Sequence, residues 1–346
     1  MRPSIRSLAV LVPFLVACTT KEPGRAAARD PKAPAFASAG TVADEGSVKP
    51  VDAQPKKPLR IAVLGLESSP FWIPVKAGAQ AAGKELASKN TTVEWIVPGE
   101  QHTADVFGRA IDAAVAKQYD AIATIAGDAG VAAYIDRAVQ AGIPVATYNS
   151  ETDTPNNRLF FVGADSYAQG KAAGELMCKL VGPNGKVGII TGFFAVEAHQ
   201  ARVKGFEDTL KEKCPAVTVV GRVENQDKAD LAYQQAKDFM TANPDLAGLI
   251  AIAGSPFGAA RAVEEAHAAG KVHLVTFDAV DETLDYVDKG VIDASIGQDP
   301  YAQGHDPVIR LYNYLVAGQL PQYGRLLTRA ETITKANAAS FRNPKQ

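Results

Sequence analysis

Apolar positions along most of the chain alternate between two spacings. Leu59-Arg-Ile-Ala-Val-Leu-Gly-Leu66 is a continuous apolar run of the kind a strand buried on both faces requires. Residues 70–88 then carry apolar side chains at helical spacing. The same exchange predicts strands at 93–97, 121–125 and 144–148, with helices over 104–117 and 131–140 between them. After an irregular stretch a second round begins. It predicts helices over 166–180, 197–211, 231–242, 258–269, 282–289 and 301–317, and strands at 187–191, 217–223, 248–252, 273–277 and 294–296. Such alternation implies an α/β fold of doubly wound parallel sheets, helices on both faces. The length beyond residue 58 is too great for one ordinary sheet and suits two domains. Ligands of these sheets bind outside the C-terminal strand ends. Two facing domains would therefore gather residues 67–72, Asp128, Asn149 and Ser150, Phe193 and Phe194, Gly254 and Ser255, Asp278 and Gln298 around one cleft.

The first 18 residues read as an address. Arg2 and Arg6 precede a short apolar run that ends in Leu15-Val16-Ala17-Cys18. The run is too short to span a bilayer and suits a secretory signal. The four residues at its end look like a bacterial lipobox, with Cys18 as the lipidated first residue of the mature chain; an ordinary signal peptide with a chance Cys is the alternative. Residues 19–58 are rich in Ala, Pro and Lys without periodicity. They read as a disordered tether, letting the folded part float roughly 35 Å from an anchor. Export also changes the remaining cysteines. Cys178 and Cys214 would meet an oxidising compartment, where two thiols commonly pair; two buried free thiols are the alternative.

Composition narrows the chemistry. The 346 residues hold 36 Lys+Arg against 38 Asp+Glu, net charge −2, which lacks the basic excess of a nucleic-acid binder. With 47% hydrophobic residues the chain can bury a core. No phosphate-binding Gly-rich loop, dinucleotide fingerprint or Gly-x-Ser-x-Gly elbow is present. The five His residues (102, 199, 267, 273 and 305) are scattered without metal-ligand spacing. These features point to a protein that binds without catalysing, and without a cofactor or metal.

The expected cleft residues suit a polyol. Ser69-Pro70-Phe71-Trp72 follows the first strand, and a sugar presents an apolar C–H face that packs on an aromatic plane. The alternative is a hydrophobic staple at the helix start. Asp278 ends its strand and could accept from two adjacent hydroxyls or cap the next helix. Gln298 offers a donor and an acceptor. Arg202 could fork two hydroxyls or a carboxylate, or sit exposed in a salt bridge.

With those residues in view, the chain resembles type I periplasmic binding proteins of the ribose/galactose class, the solute receptors of bacterial ABC importers. Ser69-Pro70-Phe71-Trp72, Phe161-Val-Gly-Ala-Asp165, Arg202-Val-Lys-Gly-Phe206, Phe277-Asp278 and Gln298-Asp-Pro-Tyr-Ala-Gln-Gly304 carry the likeness, which covers about residues 59–336. It implies two lobes joined by a three-segment hinge, with crossings near 162–164, 298–300 and 326–328. The lobes would comprise 59–163 plus 299–327 and 164–298 plus 328–346. It also implies ring-stacking by Phe71 and Trp72, with Arg202, Asp278 and Gln298 on the ligand's hydroxyls, and delivery to an ABC permease; we read the ligand as sandwiched by the two rings, with Asn149 as a further hydroxyl contact. Ser69 stands where ribose receptors carry Asn, Asn149-Ser150 replaces an Asp-Arg pair, and Asp227 replaces an aromatic. Ala253-Gly254-Ser255 lacks an Asn-Asp. These departures argue against ribose itself and leave another sugar, a polyol or another small polar ligand. A sensory receptor for a membrane kinase or chemoreceptor is the alternative role.

Overall fold

A computed structural model describes residues 29–41 and 48–342. Cys18 and the segment before it lie outside the described residues. The first half of the chain runs β1 (Ala39–Thr41), β2 (Leu59–Leu64), α1 (Trp72–Ala87), β3 (Thr91–Ile96), α2 (Ala104–Ala116), β4 (Ala121–Thr124), α3 (Val131–Gln140), β5 (Val145–Tyr148) and β6 (Phe161–Gly163). The second runs α4 (Ser166–Leu180), β7 (Lys186–Thr191), α5 (Glu197–Lys213), β8 (Thr218–Glu224), α6 (Ala229–Ala242), β9 (Leu246–Ala251) and α7 (Phe257–Glu265). It ends with β10 (His273–Phe277), α8 (Asp281–Lys289), β11 (Ala294–Ile296), α9 (Pro300–Ala317), β12 (Arg325–Leu327) and β13 (Thr332–Ile333).

These strands form two sheets. The first, in the order β3-β2-β4-β5-β6-β12-β1, is parallel throughout. The second runs β8-β7-β9-β10-β11-β13 and is parallel except at its edge, where β13 is antiparallel to β11. Strands β4 and β5 are buried at every position, which is why they read as unbroken apolar runs. In the second sheet, Leu249 joins the apolar layer under α6 and α7 while its neighbour Ile250 joins the layer under α4 and α5. Successive side chains point to opposite faces, so each strand serves both layers.

Among the described residues the chain crosses between sheets three times: after β6, after β11 and after β12. Two crossings share a local sequence. Asp165-Ser-Tyr-Ala-Gln-Gly170 opens α4, and Asp299-Pro-Tyr-Ala-Gln-Gly304 opens α9. Each Asp caps its helix, accepting from Ala168 N at 2.9 Å and from Ala302 N at 3.0 Å. Each Gly lets a neighbouring backbone approach: a Cβ on Gly170 would lie 2.1 Å from Arg202 O, and one on Gly304 would lie 1.9 Å from Val75 O.

The expected tether is corrected over much of its length. Residues 29–41 and 48–58 lie on the first lobe. β1 extends the sheet beside β12, Arg29 Nε donates to Arg158 O at 3.0 Å, and Val51 N donates to Asn313 Oδ1 at 2.9 Å. Backbone bonds hold the strap, so a Pro- and Ala-rich composition does not prevent it. Fully buried Arg158 anchors it from beneath, donating to Glu151, Gly324 O and Phe36 O. Helix α7 stops at Glu265, four residues earlier than expected, where His267 adopts a left-handed φ of 49°.

Candidate functional site

All eight residues singled out in the sequence, Ser69, Phe71, Trp72, Asn149, Arg202, Asp227, Asp278 and Gln298, line one cleft between the lobes at the C-terminal strand ends. The space there is about 450 Å³, part of it open to solvent. The lobes meet across it. Glu197, the first residue of α5, donates from its backbone to Gly127 O at 3.0 Å and accepts from Thr152 Oγ1 at 2.8 Å and Asp153 N at 2.6 Å.

The turn after β2 buries Phe71 and Trp72 as α1 begins. Their rings are edge to face, with centroids 5.1 Å apart and planes at 86°. The expected sandwich is corrected accordingly: perpendicular neighbours from one lobe cannot clasp a ring between parallel faces. Beside Trp72 in the same lobe is His102, 6.0 Å away, itself 5.7 Å from Phe193 of the other lobe.

Arg202 is buried on α5 rather than salt-bridged at the surface. Its Nε donates to Gln169 Oε1 at 3.0 Å, its Nη1 donates to Ile252 O at 3.1 Å, and its guanidinium stacks 4.6 Å above Phe277. Burial pulls its pKa down while Asp278 and Asp227 push it up; so basic a group stays charged. Asp278 sits just after β10 with φ of 71° and accepts from Gln298 Nε2 at 2.6 Å. It does not cap α8, whose N-cap is Val280. Burial raises its pKa against the opposing pull of Arg202.

Asp227 lies beyond β8, in the left-handed region with φ of 56°. Its Oδ1 is buried without a partner, and its Oδ2 is 3.8 Å from His102 Nε2. Burial, reinforced by Asp278, pushes it up to about 7. Both ring nitrogens of His102 are buried and unpartnered, and burial pushes its pKa down to about 4. His199 is held well below its ordinary value, first by burial and then by Arg202. Its Nδ1 accepts from Phe193 N at 3.1 Å, so the neutral ring carries its proton on Nε2.

Sequence reasoning missed His102, His199 and two glutamines. Gln303 accepts from Asn149 Nδ2 at 2.9 Å and donates to Gln298 O at 2.7 Å. Gln169 does the equivalent for Arg202, donating to Gly297 O at 3.2 Å. The repeated Tyr-Ala-Gln-Gly was the available signal. Asp128, expected in the cleft, instead accepts from Ala104 N at the start of α2. Among the described residues, no group of three or more His, Cys, Asp or Glu side chains could hold a metal ion.

Comparisons with known proteins agree with this architecture. The family model described as a periplasmic binding protein domain matches residues 62–319. The xylose/arabinose-binding protein XylF of Sulfolobus acidocaldarius is 23% identical over 291 residues, covering 79% of this chain and 70% of that protein. Among solved structures, GanP, a glucose-galactose binding protein from Geobacillus stearothermophilus, is 27% identical with a TM-score of 0.74, covering 82% of this chain and 99% of that one. A solute-binding protein of an ABC transporter from Burkholderia graminis, in complex with D-arabinose, is 25% identical with a TM-score of 0.76 over 82% of this chain and 98% of that one.

Proposed function

The chain belongs to the periplasmic binding protein domain family, and from that membership we propose that it is an extracytoplasmic receptor that captures a sugar or related polyol between its lobes and hands it to an ABC permease. The observation that carries this reading is the convergence of buried aromatic rings, Phe71 and Trp72, from one lobe with buried hydrogen-bonding groups, Arg202 and Asp278, from the other. An apolar plane facing several fixed donors and acceptors matches a molecule with C–H faces and an equatorial rim of hydroxyls. Relatives whose names and complexes record sugars support the same reading.

Mechanistically this is binding without bond chemistry. Ligand contacts on both lobes favour the closed arrangement, and a hydroxyl missing from the ligand leaves a buried group unpaired, at about 1–3 kcal/mol. The proposal includes a lipid anchor at Cys18, which would hold the receptor at a membrane. It also includes a disulfide between Cys178 and Cys214, whose Cα atoms are 5.8 Å apart. Among the described residues no helix is long and apolar enough to cross a membrane.

The test is a thermal-shift panel of pentoses, hexoses, polyols, amino acids and nucleosides on refolded, ligand-stripped protein. A saturable rise with sugars or polyols is expected, because a ligand that binds only the native state stabilises it by mass action. Asp278→Ala should abolish that rise while the fold persists. A rise confined to amino acids or nucleosides would overturn the sugar assignment.

A further inference from the structure

We propose that the ligand carries a protonated amine on its polyhydroxylated frame, and that Asp227 receives it. The inference rests on the sugar or polyol reading and narrows it.

It starts from a charge imbalance. Among the described residues that line the cleft, two carboxylates, Asp227 and Asp278, face one cation, Arg202, whose Nε and Nη1 are already committed to Gln169 and Ile252. Glu224, at the end of β8, adds a third negative charge that acts on Asp227. No histidine offsets this. His102, from the loop before α2, and His199, on α5, are both buried and neutral near pH 7. Lys228, next along the chain, is exposed. Asp278 has Gln298 as a fixed donor; Asp227 Oδ1 has none.

The geometry around Asp227 suits an ammonium group. Its carboxylate sits between two residues without side chains: a Cβ would lie 2.4 Å from Oδ1 at Gly192 and 1.9 Å from it at Gly254. Opposite, His102 presents a ring whose two nitrogens lack partners, flanked by Trp72 and Phe193. A cation held there meets a carboxylate on one side and aromatic faces on the other. It can also donate to the free nitrogen of the neutral His102 ring. A hydroxyl could satisfy Oδ1 but would leave the negative charge uncompensated. Without a cation Asp227 takes up a proton near neutrality, consistent with its position at about 7.

The experiment is isothermal titration of the full chain at pH 7.5 with the 2-amino-2-deoxy hexoses and a 1-amino-1-deoxy inositol. Each is compared with its neutral parent and its N-acetyl derivative. The amines should bind about tenfold or more tighter than either neutral form. Asp227→Asn, which keeps the side chain's shape, should bring that ratio to about one. Saturable binding of the parents with no amine preference, or a preference that survives Asp227→Asn, overturns the inference and leaves the sugar reading standing. No saturable binding by amines, parents or N-acetyl forms overturns both. The N-acetyl comparison needs no variant, so the result does not depend on how Asp227→Asn folds.

Discussion

Arg202→Met separates the two duties of the cleft arginine. Methionine has nearly the length of the arginine stem and can still cover the Phe277 ring. The guanidinium's hydrogen bonds go, leaving Gln169 Oε1 and the Ile252 carbonyl without their donor in a buried site. One unsatisfied buried acceptor costs about 1–3 kcal/mol. Some relaxation is expected, so the combined loss should be about 2–4 kcal/mol by urea denaturation. The second duty is electrostatic. Asp227 and Asp278 both have folded pKa values above the ordinary carboxylate value, chiefly from burial, with Arg202 pulling them down. A carboxylate raised in this way contributes stability that is full below its unfolded pKa near 4 and lost as pH rises through its folded pKa. Removing the cation raises both values further and deepens that loss. The deficit should therefore be larger at pH 8 than at pH 5, by about 1 kcal/mol or more. A deficit under about 1 kcal/mol at both pH values would refute the hydrogen-bond reasoning. An equal deficit at the two would refute the electrostatic reasoning.

Further outcomes follow from other contacts. Buried His305 lies between Asp306, at 2.9 Å, and Glu85, at 3.0 Å. Burial pushes its pKa down, but those two carboxylates outweigh it and leave it raised. Its contribution is thus present below about pH 6.5 and lost as pH rises through the folded value; His305→Gln should flatten the stability profile there, as unfolding curves from pH 5.5 to 8.5 would reveal. Replacing Cys178 and Cys214 by Ala should cost roughly 4 kcal/mol, the loop-closure value for a sequence separation of 36, and the loss should vanish when both proteins are compared under reductant. Glu197→Ala removes two of the side-chain bonds that join the lobes. It should raise the ligand-free radius of gyration in X-ray scattering and weaken binding several-fold; an unchanged radius would count against a latch role.

The parts of the fold legible in the sequence were those with local causes. Strands β2, β4 and β5 are buried nearly throughout, so their apolar runs announce them. The eight cleft residues were visible because each follows a strand or faces the cleft from a helix start. What stayed hidden depends on distant partners. β12 is three residues long and becomes a strand by pairing with β6 and β1. The strap of residues 29–41 and 48–58 offers no periodicity, because Arg29 and Val51 bond to residues more than 120 positions away. His102 and His199 looked unremarkable in polar surroundings; burial in a shared cleft, which no spacing encodes, sets their chemistry. The perpendicular set of Phe71 and Trp72 likewise depends on how α1 packs, not on their adjacency.

The twin turns at the first two crossings tie recognition to motion. Gln169 grips the backbone of one crossing at Gly297 and, with its carbonyl oxygen, the arginine of the cleft. Gln303 grips the neighbouring backbone at Gln298 and, with its own oxygen, Asn149. Each glutamine is thus a crank pin shared by pivot and load. If the solute is held by Arg202 or Asn149 as proposed, a pull of a fraction of an ångström loads the pivot through one intervening side chain, without a relay through the lobe cores. Occupancy and hinge angle become two readings of one set of bonds, and substitutions meant to retune the ligand at either position will also retune the resting angle of the jaw.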